Sequence, residues 1–374
     1  MKFTCTRENI SHVLDLVGAL AGKHTNLPIL MNVLFVANES GVEVLATNLE
    51  MAVRASLRAK VETPGSFTVP AKTLSDYVHL LSDEKVSISL AENELIVECG
   101  SASTKIKGVG PEEYPVIPGV EEEHAYVILA EDFRDALGKT AVAVAKNEIR
   151  PELSGVYFGF FTERYAGLLL AATDSYRLAE KKVAVAQGKD LMECIVPART
   201  VYEMMRLISL ARGGAEGETQ VRVWASSNQL AVRFGGFEMT SRLVDGKYPD
   251  YAQIIPTAFK TTANFPTDVM VKNIKAASLF TMMGVNAVSF DVRAGDHTIS
   301  VSSTSTQTGE HTSEIDSDIV GEENSILLNH RYVLDGLQHL GATTELQMNS
   351  ADAPCLFRAK GTEDYVYIVM PIRQ

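Results

Sequence analysis

The sequence predicts an α+β protein built from one unit repeated three times, and two kinds of observation carry that reading. One is a set of landmarks recurring about 130 residues apart; the other is the alternation, inside each copy, of amphipathic helices with period-two strands. Val69-Pro70-Ala71-Lys72-Thr73-Leu74 returns 127 residues later as Val196-Pro197-Ala198-Arg199-Thr200-Val201, and a degenerate third copy, Leu328-Asn329-His330-Arg331-Tyr332-Val333, follows after another 132. Ala46-Thr47-Asn48 matches Ala172-Thr173-Asp174, and Tyr114-Pro115 matches Tyr248-Pro249. An internal period of this length makes each copy a supersecondary unit of its own.

Each copy opens with a strand and a helix. Phe3 to Thr6 precede apolar positions at Ile10, Val13, Val17 and Leu20, and Tyr126 to Leu129 precede Phe133, Leu137, Ala141 and Val144. The third copy is expected to open near Val269. A second helix starts at each repeated landmark, with one apolar face formed by Leu74, Tyr77, Val78 and Leu81, then Val201, Met204, Met205 and Ile208, then Val333, Leu337 and Leu340. Spacings of three and four keep these side chains on one side of a helix. Between the helices, Val86 to Leu90, Val221 to Trp224 and Leu230 to Phe234 alternate as half-buried antiparallel strands do. Glu39-Ser40-Gly41, Glu92-Asn93 and Ser227-Asn228 supply the turns. Two helices and many strands in about 125 residues suit helices packed on one face of a sheet. An acidic stretch near Pro118 to Glu123 and a Pro-bounded one from Pro256 to Pro266 place the boundaries, giving domains of residues 1–124, 125–256 and 257–374.

Length and composition agree. The 374 residues suit two or three domains, and 46% hydrophobic with 22% charged residues describes neither a disordered nor a fibrous chain. No apolar run is long enough for a membrane span, and the start Met1-Lys2-Phe3-Thr4 has no basic and then apolar leader, so a cytoplasmic location without membrane partners is expected. Cys5, Cys99, Cys194 and Cys355 stand far apart among apolar residues and read as buried free thiols. Net charge is −13. Lys and Arg number 10 against 17 Asp and Glu in the first domain, 16 against 16 in the second and 8 against 14 in the third. Contact with nucleic acid must then come from local basic faces on an acidic body.

The repeat, the opening with Leu27-Pro28-Ile29-Leu30, the segment Leu243 to Tyr251 and the ending Val369-Met370-Pro371-Ile372-Arg373 together resemble the bacterial DNA polymerase III beta subunit, the beta clamp family, over the whole chain. That resemblance implies three clamp domains per protomer and a head-to-tail homodimer closed around double-stranded DNA without sequence preference, helices inside and sheets outside. A processivity factor of this kind is not an enzyme and needs no cofactor. By position in the repeat, Lys23, His24, Lys72, Arg150, Arg199 and Arg331 are the candidates for the DNA-facing surface. A linked ring holds DNA by topology, so a few Lys or Arg contacts suffice.

The resemblance also implies a groove for short peptides from the replicative polymerase alpha subunit, the clamp loader, translesion polymerases and mismatch repair proteins. Its residues carry over to Leu153, Thr173, Ser175, Tyr176, Arg177, Leu178, Pro249, Ile254, Pro354, Ile368, Met370, Pro371, Ile372 and Arg373. Apolar walls, an adaptable methionine and a few polar anchors suit a partner slot. Tyr176 stands where several relatives carry histidine, and Gln253 where arginine is familiar. For the dimer, the strand near Ser103 to Lys107 of one chain is expected to pair with the strand near Thr298 to Thr304 of the other.

Enzyme signatures are missing from the sequence. There is no phosphate-binding G-x-x-x-x-G-K-[ST], no H-E-x-x-H, no C-x-x-C and no G-x-S-x-G. Asp316-Ser317-Asp318 and Glu121-Glu122-Glu123 read as solvated acidic loops, not metal sites. The rival readings are a magnesium-dependent nucleic-acid enzyme, which nuclease assay of the chain would reveal, and a peptide adaptor that does not bind DNA.

Overall fold

In the computed structural model the chain is described at all residues except 23–26, 83, 147–148, 212–218, 283 and 374. Lys23 and His24 lie outside the described residues. Six α-helices are present among the described residues: α1 (Arg7–Gly18), α2 (Ala71–Leu80), α3 (Ala130–Ala141), α4 (Ala198–Leu210), α5 (Thr267–Ser278) and α6 (His330–Leu337). None of these helices is long and apolar enough to cross a membrane.

Local chemistry explains the helix ends. Thr6 caps α1 by accepting from the Asn9 N–H at 3.1 Å, and Asn329 caps α6 by accepting from the Arg331 N–H at 3.0 Å. Pro70 and Pro266 precede α2 and α5, where a residue without an N–H leaves no helical bond unmade. The apolar faces read from the spacing are the packed ones. Leu74 and Val78, Val201, Met204 and Ile208, and Val333 and Leu337 are all buried.

Compactness divides the chain into two units. The first holds residues 1–134, 185–188 and 202–243, and the second holds 135–184, 189–201 and 244–374. Within the first, a five-stranded sheet runs in the order Ala59–Thr63, Lys2–Thr6, Lys85–Ala91, Glu94–Cys99, Ala102–Lys107. Its eight-stranded sheet runs Tyr126–Leu129, Gln220–Ala225, Gln229–Phe234, Phe237–Arg242, Met51–Leu57, Gly41–Thr47, Asn32–Asn38, Gly65–Pro70. The join is antiparallel, with Ser241 opposite Met51 and Phe237 opposite Ala55.

The second unit repeats this plan. Its nine-stranded sheet runs Met192–Pro197, Gly155–Thr162, Tyr165–Thr173, Arg177–Val183, Tyr365–Val369, Cys355–Ala359, Thr343–Met348, Thr261–Pro266, Asp318–Gly321. Its join sets Val369 opposite Arg177 and Tyr365 opposite Lys181. A four-stranded sheet completes it: Gly309–Asp316, Thr298–Ser305, Ala287–Arg293, Asn324–Asn329.

Two expectations need correction. The third copy opens with the strand Thr261–Pro266, and Val269 lies inside α5. Thr261, Thr262 and Asn264 dilute the apolar alternation there, so the strand is faint in the sequence although Ala263 and Phe265 are buried. Thr298–Ser305 is not an open edge either, because it pairs with Ala287–Arg293 on one side and Gly309–Asp316 on the other. The outer strand is Gly309–Asp316.

Cys5, Cys99 and Cys355 are buried free thiols and Cys194 is half-buried. Burial pushes the thiols of Cys5, Cys194 and Cys355 up to about 12, so they stay protonated and inert.

Candidate partner groove and basic helix ends

The groove residues gather in the second unit around one turn. The strand Tyr165–Thr173 reverses through Asp174, Ser175 and Tyr176 into Arg177–Val183. Thr173 ties the turn shut: its Oγ1 donates to the Arg177 carbonyl at 2.6 Å and accepts from the Ser175 N–H at 3.1 Å. Asp174 Oδ1 accepts from the N–H groups of Tyr176 and Arg177, both at 3.0 Å. Together these hold Ser175 at φ 75°, a left-handed conformation that a non-glycine residue adopts only when its surroundings impose it.

The first unit contains the same turn. Thr47 Oγ1 donates to the Met51 carbonyl at 2.8 Å, Asn48 Oδ1 accepts from Glu50 and Met51, and Leu49 stands at φ 74°. What differs is the furniture. The tie Met370 N–H to Tyr176 carbonyl, 2.8 Å, corresponds to Arg242 N–H to Glu50 carbonyl, 2.9 Å, so charged residues replace an aromatic and a methionine at the first unit's turn.

Behind the second unit's turn lies an apolar cluster of Leu153, Leu178 and Ile368 with Ala171, Ile195, Tyr248, Tyr251 and Leu356. Leu178 stands opposite Ile368 and Leu356 opposite Ile368 on the next strand, which makes a continuous apolar row across three strands. Leu153 closes the short 3-10 turn Pro151–Leu153. Tyr248 and Tyr251 meet Tyr157 at ring-centroid distances of 5.5 and 6.3 Å. The Tyr248 hydroxyl accepts from the Thr173 N–H, tying the aromatic cluster to the turn.

Placement of the remaining residues is uneven. Leu153, Leu178 and Ile368 are 2%, 1% and 0% exposed, so they belong to the core beneath the surface. Pro249, Pro354, Met370, Pro371 and Ile372 are half-buried, whereas Ser175, Tyr176, Ile254 and Arg373 are exposed. Tyr248, Tyr251, Ile195, Ala171 and Leu356 are absent from the sequence-derived set. For Tyr248 and Tyr251 the signals were the match of Tyr114-Pro115 to Tyr248-Pro249 and the segment Leu243 to Tyr251.

Arg177 is buried and does the bracing. Its guanidinium donates to Asp174 at 3.1 Å, to Asp335 of α6 at 2.6 Å and to the Tyr367 hydroxyl at 3.4 Å, and it covers the Tyr332 ring at 4.6 Å. Burial opposes its charge, but Tyr367, Asp335 and Asp174 outweigh that and keep it protonated. Tyr176 stacks on Tyr332 at 6.4 Å, and the pair borders a cavity of about 770 Å³ that also touches Arg331.

Lys72, Arg199 and Arg331 each occupy the second residue of a helix, α2, α4 and α6, and all three are exposed. A cation in a first turn opposes the helix dipole by about 0.3–1 kcal/mol. None of these three helices has an acidic residue in its first turn, whereas α1, α3 and α5 carry Glu8, Glu131 with Asp132, and Asp268 there. Lys72 is paired with Asp76 at 2.6 Å and Arg150 with Glu152 at 2.9 Å, both at the surface. Arg150 precedes the turn Pro151–Leu153 and is not on a helix.

Among the described residues no cluster of three His, Cys, Asp or Glu side chains could hold a metal ion. Glu122 is occupied by Arg222 and Arg233, which hold its carboxyl below the usual carboxylate range through hydrogen bonds that outweigh burial.

The family models for the DNA polymerase III beta subunit match the chain in succession: the N-terminal domain at residues 1–118, the central domain at 128–250 and the C-terminal domain at 252–373. The chain is 28% identical to the beta sliding clamp of Synechococcus elongatus over 381 residues, covering 100% of this chain and 99% of the relative. It is 28% identical to that of Bacillus subtilis over 386 residues, covering both in full. The crystal structure of the Bacillus subtilis DNA polymerase sliding clamp superposes with a TM-score of 0.92 at 27% identity, over 100% of this chain and 99% of that one. The DNA polymerase III subunit beta of Pseudomonas aeruginosa shares the fold, with a TM-score of 0.92 at 23% identity and 100% of both chains covered. The chain belongs to the DNA polymerase III beta subunit family, as a non-catalytic sliding clamp built of three repeated clamp domains.

Proposed function

We propose that two copies of this chain close head to tail into a ring around duplex DNA in the bacterial cytoplasm and tether polymerases and other partners through the groove beside Thr173 and Met370. The domains are taken as residues 1–124, 125–256 and 257–374. The observation that carries the DNA reading is the cation at the second position of α2, α4 and α6. Each such cation costs helix stability, and together with the free N–H groups of a helix start it suits a phosphate. Contacts of this kind ignore sequence, and a closed ring needs no tighter grip.

Ring closure is supported by two outer strands of opposite charge. Ala102–Lys107 carries Lys105 and Lys107, pairs on one side only among the described residues, and buries Ile106. Gly309–Asp316 carries Glu310, Glu314 and Asp316, likewise pairs on one side only among the described residues, and buries Ile315. Pairing one with the other between protomers would satisfy two rows of backbone groups that otherwise invite aggregation. Leu279, 71% exposed at the end of α5, stands next to Phe280, whose ring stacks on His311 of the acidic strand at 5.9 Å, so an apolar contact would accompany the charge match.

The test is retention on DNA. Loaded onto nicked circular plasmid by a bacterial clamp loader with ATP, the chain should stay bound through gel filtration and be lost when the plasmid is linearised. Equal retention on both forms would sink the ring. Lys72→Glu with Arg199→Glu should shorten the stay on the circle without unfolding the chain.

A further inference from the structure

We propose that the groove in the second unit continues into a basic chamber that takes acidic residues flanking the apolar anchors of a partner peptide. The inference rests on the groove reading above and adds to it the chemistry of the partner. The chamber is the cavity of about 770 Å³ bordered by Tyr176 and Tyr332. Three cations from separate elements converge on it: Lys146 from the chain after α3, Lys275 from α5 and Arg331 from the start of α6.

These charges are uncompensated. The carboxylates in the wall are Asp174 and Asp335, and Arg177 holds both, at 3.1 and 2.6 Å. No ion pair engages Lys146, Lys275 or Arg331 among the described residues, and all three are exposed. A wall whose acids are already neutralised and whose bases are not presents net positive potential to an incoming anion. His330, beside Arg331, has its Nδ1 buried without a hydrogen-bond partner, which leaves a polar atom for a ligand.

The chamber also adjoins the groove at Tyr176. Tyr176 stacks on Tyr332 with planes 21° apart and binds the Met370 N–H through its carbonyl, so one residue borders both spaces. A peptide whose apolar side chains settle by Met370 and Ile254 would send its next residues past Tyr176 toward Lys275 and Arg331. An acidic peptide flank is therefore the occupant that both charge and adjacency select.

The experiment uses the full chain and three synthetic peptides with the same Leu and Phe anchors, flanked by Asp-Asp, Gly-Gly or Lys-Lys, read by fluorescence anisotropy at low and moderate salt. The Asp-Asp peptide should bind about fivefold to tenfold tighter than the Gly-Gly peptide, as two or three exposed ion pairs would give. Moderate salt should erode that gap. Lys146→Glu with Lys275→Glu should abolish the preference and leave Gly-Gly binding unchanged. Equal binding of Asp-Asp and Gly-Gly peptides to the parent would overturn the chamber and leave the groove standing, whereas no binding of any peptide would overturn both. A single-stranded oligonucleotide that binds the parent but not the double variant, with no Asp-Asp preference, would assign the chamber to nucleic acid and overturn the proposal.

Discussion

The Tyr248 hydroxyl accepts a 3.0 Å hydrogen bond from the backbone N–H of Thr173, whereas Tyr114, its counterpart one repeat earlier, donates to the carbonyls of Asn32 at 3.3 Å and Leu45 at 3.5 Å. At Tyr248 a phenol buried in an apolar cluster is thus the fixed point on which the Thr173 turn is hung. For Tyr114 burial raises the phenol to about 12, and for Tyr248 burial raises it further, so both stay protonated.

Tyr248→Phe keeps the ring and deletes the acceptor. The Thr173 N–H is then buried without a partner, which costs about 1–3 kcal/mol. Thermal or urea unfolding of the parent and the variant should show that loss, together with weaker peptide binding because the turn carrying Ser175 and Tyr176 loosens. Unchanged stability would mean that Thr173 finds water instead.

Exposed and buried members of the proposed groove call for different substitutions. Leu178→Ala empties a fully buried site and should cost about 2–5 kcal/mol of stability, so a binding loss in that variant mixes two effects. Met370→Ala with Ile254→Ser touches half-buried and exposed positions instead. That pair should keep the parent's melting behaviour and weaken an apolar-anchored peptide about tenfold or more, given roughly 1.5–3 kcal/mol per anchor contact fully lost. Peptide binding at the parent's affinity, in a folded variant, would place the groove elsewhere.

The proposed ring joint is electrostatic at its rim, so charge exchange tests it directly. Lys105→Glu with Lys107→Glu should weaken the dimer in sedimentation, and Glu310→Lys with Asp316→Lys on the other chain should restore it when the two variants are mixed. Glu314 is left in place because Arg293 already holds it at 2.8 Å. A dimer indifferent to both changes would remove these strands from the joint. Ile106→Pro should act more strongly, because it deletes a backbone donor as well as a buried side chain.

Much of the fold was legible because helix faces obey a simple period. Leu74, Val201 and Val333 sit at equivalent places, and any burial of one helix face requires that pattern. The division into compact units was not legible, since it depends on pairings such as Ser241 with Met51 and Val369 with Arg177, which join strands from successive repeats far apart in the chain. The turn residues of the groove carried a motif, because Thr173 and Asp174 must bond their own backbone. Ala171, Ile195 and Leu356 carried none: each lies in an apolar strand that looks like core whichever side of it a ligand occupies. That Arg331, the cation near the start of α6, also borders the cavity beside Tyr176 was not legible, because only the folding of α6 against Arg177 creates that neighbourhood.

Acid should destabilise the second unit through its histidines. Burial, and secondarily Lys139, holds the His339 pKa below its ordinary value, and burial with Arg331 does the same for His330. The folded chain therefore binds fewer protons than the unfolded chain once pH falls to the range where a free histidine titrates, about 6.5. Where the unfolded state binds more protons, stability rises with pH. The contribution is absent well above that range, where both states are neutral, and stability is lost as pH falls through the unfolded value toward the lower folded one. His339→Gln removes one such group. Between pH 7.5 and 5.5 its melting temperature should fall less than the parent's, and the gap between the two should close again at the higher pH apart from any fixed packing difference. Parallel falls for parent and variant would show that His339 titrates alike in both states, and the acid sensitivity would then belong to the carboxylates.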